Sequence, residues 1–86
     1  MHLVAERFWP GATEPSARDV MARLRASCDR LAAAGVPLRY LSGTFVAADE
    51  SLSCRFDGTV QGVRAAYELA GIPFDRLLTA VEVESE

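Results

Sequence analysis

The sequence predicts an α+β fold, a four-stranded antiparallel sheet with two helices on one of its faces. Three observations carry that expectation. Leu52, Cys54 and Phe56 alternate with Ser53, Arg55 and Asp57, the period of a half-buried strand. Val20, Leu24, Cys28 and Leu31 recur at the spacing of one helix face. Two Gly-x-Pro stops, Gly35-Val36-Pro37 and Gly71-Ile72-Pro73, end helical stretches in the same manner and suggest two similar half-units.

Taken in order, the first strand spans about Leu3–Phe8 and stops at Pro10-Gly11, where proline removes a ladder donor and glycine permits a turn. Thr13 is the expected N-cap of the first helix, with Glu14 and Pro15 in its first turn; Ser16 is a second possible start. The helix continues to about Ala34, and Arg25 and Asp29 form an i,i+4 pair on its outer side. Leu38–Val46 reads as the second strand, and Gly43 inside it marks a bulge or a close backbone approach. Ser51–Asp57 is the third strand. Thr59 caps a second helix over Val60–Ala70, whose apolar face is Val60, Val63, Tyr67 and Ala70. Leu77–Val83 closes the chain as strand four, before a frayed Glu84-Ser85-Glu86. The order β-α-β-β-α-β is that of the ferredoxin-like split βαβ arrangement, with spatial strand order 4-1-3-2.

Length and composition set the bounds. The 86 residues, half of them apolar, have room for one domain, residues 1–86, with a small core. Surface left over on so small a domain makes a homodimer the expected state. Net charge is −3, and every basic residue is an arginine, scattered along the chain rather than gathered in a stripe; nucleic acid is therefore not an expected partner. No apolar run approaches the roughly 20 residues that span a bilayer, and no basic segment precedes an apolar one, so the expectation is a cytoplasmic protein without a membrane partner. Cys28 falls on a helix and Cys54 on a strand, far apart and outside any C-x-x-C, the usage of two buried reduced thiols.

Two helices cover one sheet face and leave the other open. Alternation sends Leu3 and Ala5 to the helices and Val4, Glu6 and Phe8 to the open face. It sends Val81 and Val83 to the helices and Ala80 and Glu82 outward. Strand two is ambiguous, with Tyr40, Ser42 and Thr44 on one side and Arg39, Leu41 and Phe45 on the other. Glu82, Glu6 and Arg55 are thus expected side by side across strands four, one and three. Two carboxylates beside an arginine can act as general acid and base, hold a polar ligand group or supply oxygen ligands; they can equally be cross-strand ion pairs at a dimer seam. Arg55, Tyr40, Phe8 and Trp9 are the candidate ligand-binding residues, with Glu6 and Glu82 as candidate catalytic carboxylates. Trp9 is read as a lid over the sheet's end or an interface anchor. His2 is the single histidine; with Glu6 it is a conceivable metal ligand. No phosphate-binding glycine loop, G-x-S-x-G or Ser/His/Asp set is present.

Glu6-Arg7-Phe8-Trp9-Pro10-Gly11, Cys54-Arg55-Phe56, Val63-Arg64 and Ala70-Gly71-Ile72-Pro73-Phe74-Asp75 resemble, in order and spacing, a family of small, mostly actinobacterial proteins of unknown function known chiefly as nickel-binding proteins. The resemblance implies a ferredoxin-like fold, usually dimeric, with two sheets facing each other as a dimeric α/β barrel, and nickel as the cofactor. Members often carry a histidine in the second helix where this chain reads Arg64-Ala65-Ala66-Tyr67, which leaves His2, Glu6, Cys54 and Glu82 as conceivable nickel ligands. The functional expectation is small-ligand or nickel-ion binding on the sheet face that a homodimer encloses. The alternative is a small dimeric α/β-barrel enzyme of the cyclase, isomerase or cofactor-free oxygenase type, with Glu6 and Glu82 as acid and base and Arg55 holding an oxyanion. A third is a purely structural or interaction module.

Overall fold

The computed structural model describes residues 1–81 and 83. Its elements are β1 (His2–Phe8), α1 (Glu14–Ala33), β2 (Leu38–Val46), a 3-10 turn (Ala47–Asp49), β3 (Ser51–Gly58), α2 (Val60–Ala70) and β4 (Arg76–Ala80). The strands lie in the order β2-β3-β1-β4 and all pair antiparallel, as the ferredoxin-like arrangement requires.

Local chemistry sets the helix ends. Thr13 caps α1: its hydroxyl accepts from the Ser16 N–H at 3.3 Å, and Ser16 Oγ accepts from the Thr13 N–H at 2.9 Å, a reciprocal box that satisfies two donors left over by the first turn. Thr59 caps α2 through the Gly62 N–H at 3.0 Å. Gly71 ends α2 in the left-handed conformation (φ 68°), which residues with a Cβ adopt only at a cost. Arg23 on α1 donates to the Ala70 carbonyl at 2.6 Å, placing a cation at the negative end of α2 and tying the helices together. The i,i+4 ion pair on α1 is Glu14–Arg18, at 3.3 Å, one helix end away from the expected Arg25–Asp29.

The core fills the space between the helices and one sheet face. Leu3, Ala5, Leu52, Cys54 and Phe56 point up from β1 and β3; Ala17, Val20, Leu24 and Cys28 come down from α1, and Val63, Ala66 and Tyr67 from α2. Phe56 is fully buried and packs edge-to-face with Tyr40 and Tyr67, at centroid distances of 5.5 and 5.8 Å. Tyr67 continues the chain of rings to Phe74 at 4.9 Å.

Two sequence expectations require correction here. β4 begins at Arg76, and Val81, expected to face the helices, lies beyond its end and is 87% exposed, as Val83 is at 88%. β2 carries a bulge between Tyr40 and Ser42, so neither simple alternation holds along it: Tyr40, Gly43 and Phe45 share the helix side, opposite Phe56, Cys54 and Leu52, while Arg39, Ser42 and Thr44 share the open side. With helices on one face only, the molecule is a slab, 38 × 37 × 18 Å.

Candidate functional site

The open sheet face is the surface the fold leaves unused, and register fixes its layout. Across β2-β3-β1-β4 the rows read Arg39–Asp57–His2–Ala80, then Ser42–Arg55–Val4–Leu78, then Thr44–Ser53–Glu6–Arg76, with Val46, Ser51 and Phe8 at the end. Large apolar groups stand exposed on it: Phe8 at 61%, with Leu41, Val46 and Leu78 each near 40%. A polar centre is set among them.

Glu6 occupies the central-strand position expected of it, and its nearest charged partner is Arg76. The guanidinium donates from Nε at 2.9 Å and from Nη2 at 2.5 Å, both to Glu6 Oε1. Arg55 stands opposite Val4, one rung from Glu6, so the two are diagonal neighbours at roughly 7–8 Å rather than direct partners. Glu82 lies outside the described residues. Of the expected Glu82–Glu6–Arg55 row, the described residues hold Glu6 with Arg76 beside it and Arg55 across the diagonal. Strand four was expected to start at Leu77, one residue too late to include Arg76.

Phe8 lies where alternation placed it, exposed on the open face. Trp9, read as a lid over the sheet's end or an interface anchor, is half-buried against the core just past β1, with the Arg7 guanidinium stacked 4.1 Å from its ring centroid. Its backbone N–H donates to the Glu50 carbonyl at 2.7 Å. Tyr40, expected as an open-face ligand group, is on the helix side. Its hydroxyl and that of Tyr67 lie close to the Cys54 sulfur, in a buried thiol–phenol cluster to which Cys28 is a neighbour. Burial pushes the Cys28 thiol up to about 11 and moves Cys54, Tyr40 and Tyr67 upward as well, so all four stay protonated at neutral pH. Both cysteines are free and buried, as sequence usage indicated, and protonated thiols of this kind are inert core groups.

The conceivable metal ligands do not converge. His2 and Glu6 share a face but stand four residues apart on one strand, about 13 Å, whereas donors around one ion lie within about 4.5 Å of each other. Cys54 is on the opposite side of the sheet. Among the described residues no three His, Cys, Asp or Glu side chains are grouped to hold an ion. Among the described residues, His2, Glu6 and Cys54 do not form a set that fits nickel.

Two hollows adjoin the open face. One, of about 260 Å³, is lined by Glu6, Arg7, Phe8, Ser51, Asp75 and Arg76 at the end of β1. Asp75 was not among the expected site residues, yet the Phe8 N–H donates to its Oδ2 at 2.6 Å. The other, about 560 Å³, opens at the far end, by Arg39, Asp57 and Thr59. Two of its polar groups are already engaged: the Met1 ammonium donates to Asp57 at 3.0 Å, holding that carboxyl below its ordinary range, and Thr59 is the α2 cap. The first hollow is the one continuous with the charged centre.

The fold has a solved counterpart. The chain is similar in fold to SCO4226 from Streptomyces coelicolor A3(2). The TM-score is 0.72 with 14% identical residues, covering 98% of this chain and 100% of that one. Since the match spans the whole of SCO4226, no segment of that chain lies outside the shared fold. At this level of identity the likeness to SCO4226 establishes the fold alone. No family model matches the chain, and no curated protein does. No helix among the described residues is long and apolar enough to cross a membrane.

Proposed function

We propose that the protein binds a small organic ligand on its open sheet face, enclosed against the same face of a second copy. The observation that supports this is the composition of that face. Val4, Phe8, Leu41, Val46 and Leu78 offer apolar surface that a partner would cover, while Glu6, Arg76 and Arg55 sit in its middle. Purely apolar packing of two such faces would strip water from the charges without replacing it, at a cost of several kcal/mol per ion. A ligand with an apolar body and an anionic group offsets that cost, its anion meeting Arg55, which makes no ion pair among the described residues. The charges named on the face, Arg39, Arg55 and Arg76 against Glu6 and Asp57, nearly cancel, which suits self-association. The enzymatic alternative lacks comparable support, because the one described candidate carboxylate, Glu6, is occupied by Arg76.

Two measurements test the reading. Light scattering should give the mass of a dimer for the wild type and of a monomer for Leu78→Arg, whose new charge lies on the face and outside the core. The apolar anion 1-anilinonaphthalene-8-sulfonate should bind the wild type with a saturable fluorescence rise, and Arg55→Gln should weaken it about tenfold. A monomeric wild type, or dye binding indifferent to Arg55, would refute it.

A further inference from the structure

We infer that Asp75 is a positioning residue for this site: its carboxylate holds the end of β1 so that Arg76 stays on Glu6 and Phe8 presents its ring at the mouth of the groove. The inference rests on the ligand-binding reading above and names the group that shapes the site.

The β1–β4 ladder ends at the Glu6–Arg76 rung. One residue earlier, the Asp75 N–H donates to the Glu6 carbonyl at 2.8 Å. At the next position along β1, the Phe8 N–H has no backbone partner on this side, because the chain bringing β4 in arrives through Ile72-Pro73-Phe74 from α2. The Asp75 side chain supplies the acceptor instead, Oδ2 lying 2.6 Å from the Phe8 nitrogen. A carboxylate accepting a backbone N–H at that distance makes a charge-assisted bond, stronger than the amide bond it replaces.

Asp75 is itself held on both sides. Phe74 before it packs on Tyr67 at 4.9 Å, with the Arg64 guanidinium 5.5 Å from its ring centroid. Arg76 after it is in the ladder and on Glu6 Oε1. Glu6 is thus gripped twice by consecutive residues, its carbonyl by Asp75 and its carboxylate by Arg76. Phe8, two residues on and on the same face, is gripped by the Asp75 side chain. Glu6, Phe8 and Arg76, three of the open-face groups that line the hollow of about 260 Å³, are fixed relative to one another through this single residue. An Asp75 carboxylate facing solvent without these bonds would need no explanation; one that replaces a missing rung directly beneath the candidate site does.

The test compares Asp75→Ala, which removes the acceptor, with Asp75→Asn, which keeps an Oδ1 of the same reach. The readouts are the affinity for 1-anilinonaphthalene-8-sulfonate and hydrogen exchange of the Phe8 amide. We expect Asp75→Ala to weaken dye binding about five- to tenfold and to expose the Phe8 amide to exchange, and Asp75→Asn to restore both to within about twofold of wild type. A merely structural residue would shift the melting temperature without this rescue pattern in the binding constant. Wild-type protein that fails to bind the dye refutes the ligand-binding reading itself. Wild-type binding that Asp75→Ala matches, or that Asp75→Asn does not recover, overturns the positioning role alone. Should Asp75→Ala not fold, Asp75→Ser, whose hydroxyl is one atom too short, takes its place under the same criteria, and an unprotected Phe8 amide in the wild type is refuting by itself.

Discussion

Replacing Gly43 by alanine tests the packing on the helix side of β2. A Cβ built there would lie 2.7 Å from the Tyr40 hydroxyl, 2.9 Å from Met21 Sδ and 3.0 Å from Met21 Cε. Ordinary contacts begin near 3.4 Å, so both neighbours must give by about half an ångström or more. Met21 is a flexible, half-buried thioether and can swing aside. Tyr40 is less free. Its ring is wedged edge-on against the fully buried Phe56, 5.5 Å between centroids, so retreat disturbs the core beneath the sheet. Overpacking of this kind costs about 1–3 kcal/mol, while removing a glycine from a strand returns about 0.5–1 kcal/mol through the unfolded chain. The net is a destabilisation of at most about 2.5 kcal/mol, centred on about 1 kcal/mol, against a total of roughly 4–13 kcal/mol for a domain of this size. The melting temperature should fall by about 5–15 °C. The decisive assay is a double-mutant cycle in urea with Tyr40→Phe, which deletes the hydroxyl that the new methyl strikes. If Tyr40 is the obstacle, the Gly43→Ala cost shrinks by at least about 0.5 kcal/mol in the Tyr40→Phe background. Equal costs in the two backgrounds, or a Gly43→Ala protein as stable as wild type, would refute this account.

The buried thiols give a pH prediction. Cys28 rises from 9.0 unfolded to about 11 in the folded chain, so between those values the unfolded state loses its proton first. Stability should be constant below about pH 9 and fall as pH rises toward 11, by at most about 1.4 kcal/mol per pH unit for this group, with Cys54 adding in the same direction. In the same vein, neither cysteine should react with a thiol reagent at pH 8 in native protein, and both should react in denaturant; rapid native labelling would contradict the burial. Glu50 sits in the left-handed region (φ 50°), and its Oε2 accepts from the Gly11 N–H at 3.0 Å. Glu50→Ala keeps the backbone strain and loses the bond, and should cost about 1 kcal/mol in chemical denaturation. Glu50→Gly relieves the strain as it loses the bond and should be closer to neutral. The opposite ranking, with Glu50→Gly the costlier, would show that left-handed strain at this position does not govern the turn.

Much of this architecture is readable along the chain because it depends on neighbours in sequence. The caps Thr13 and Thr59, the Gly-x-Pro stops and the alternation over Ser51–Asp57 act within a few residues, and each element they delimit is present at nearly the expected bounds. The order of the strands follows as well, since two similar βαβ half-units admit few other packings. The candidate site was less accessible. Glu6 and Phe8 were placed correctly by alternation alone. Arg76 was missed as the partner of Glu6 because a strand's first residue carries no periodic signal, and one residue decides the rung. Tyr40 was placed ambiguously because a bulge shifts every side chain beyond it, and the only local hint was Gly43. Asp75 stands in the sequence only as the end of the Ala70–Asp75 motif, with no sign of its role there, which is to accept a hydrogen bond from a residue 67 positions away.

The sequence by itself determined the elements, their order and which side of β1, β3 and α1 would be apolar, because propensity, capping and periodicity are local. Only the tertiary structure decided that Glu6 meets Arg76 rather than Arg55, that Tyr40 turns toward Cys54, and that Asp75 completes a missing rung. Those contacts depend on register between strands distant in the chain, and register is set by the packing of the whole sheet rather than by any one segment.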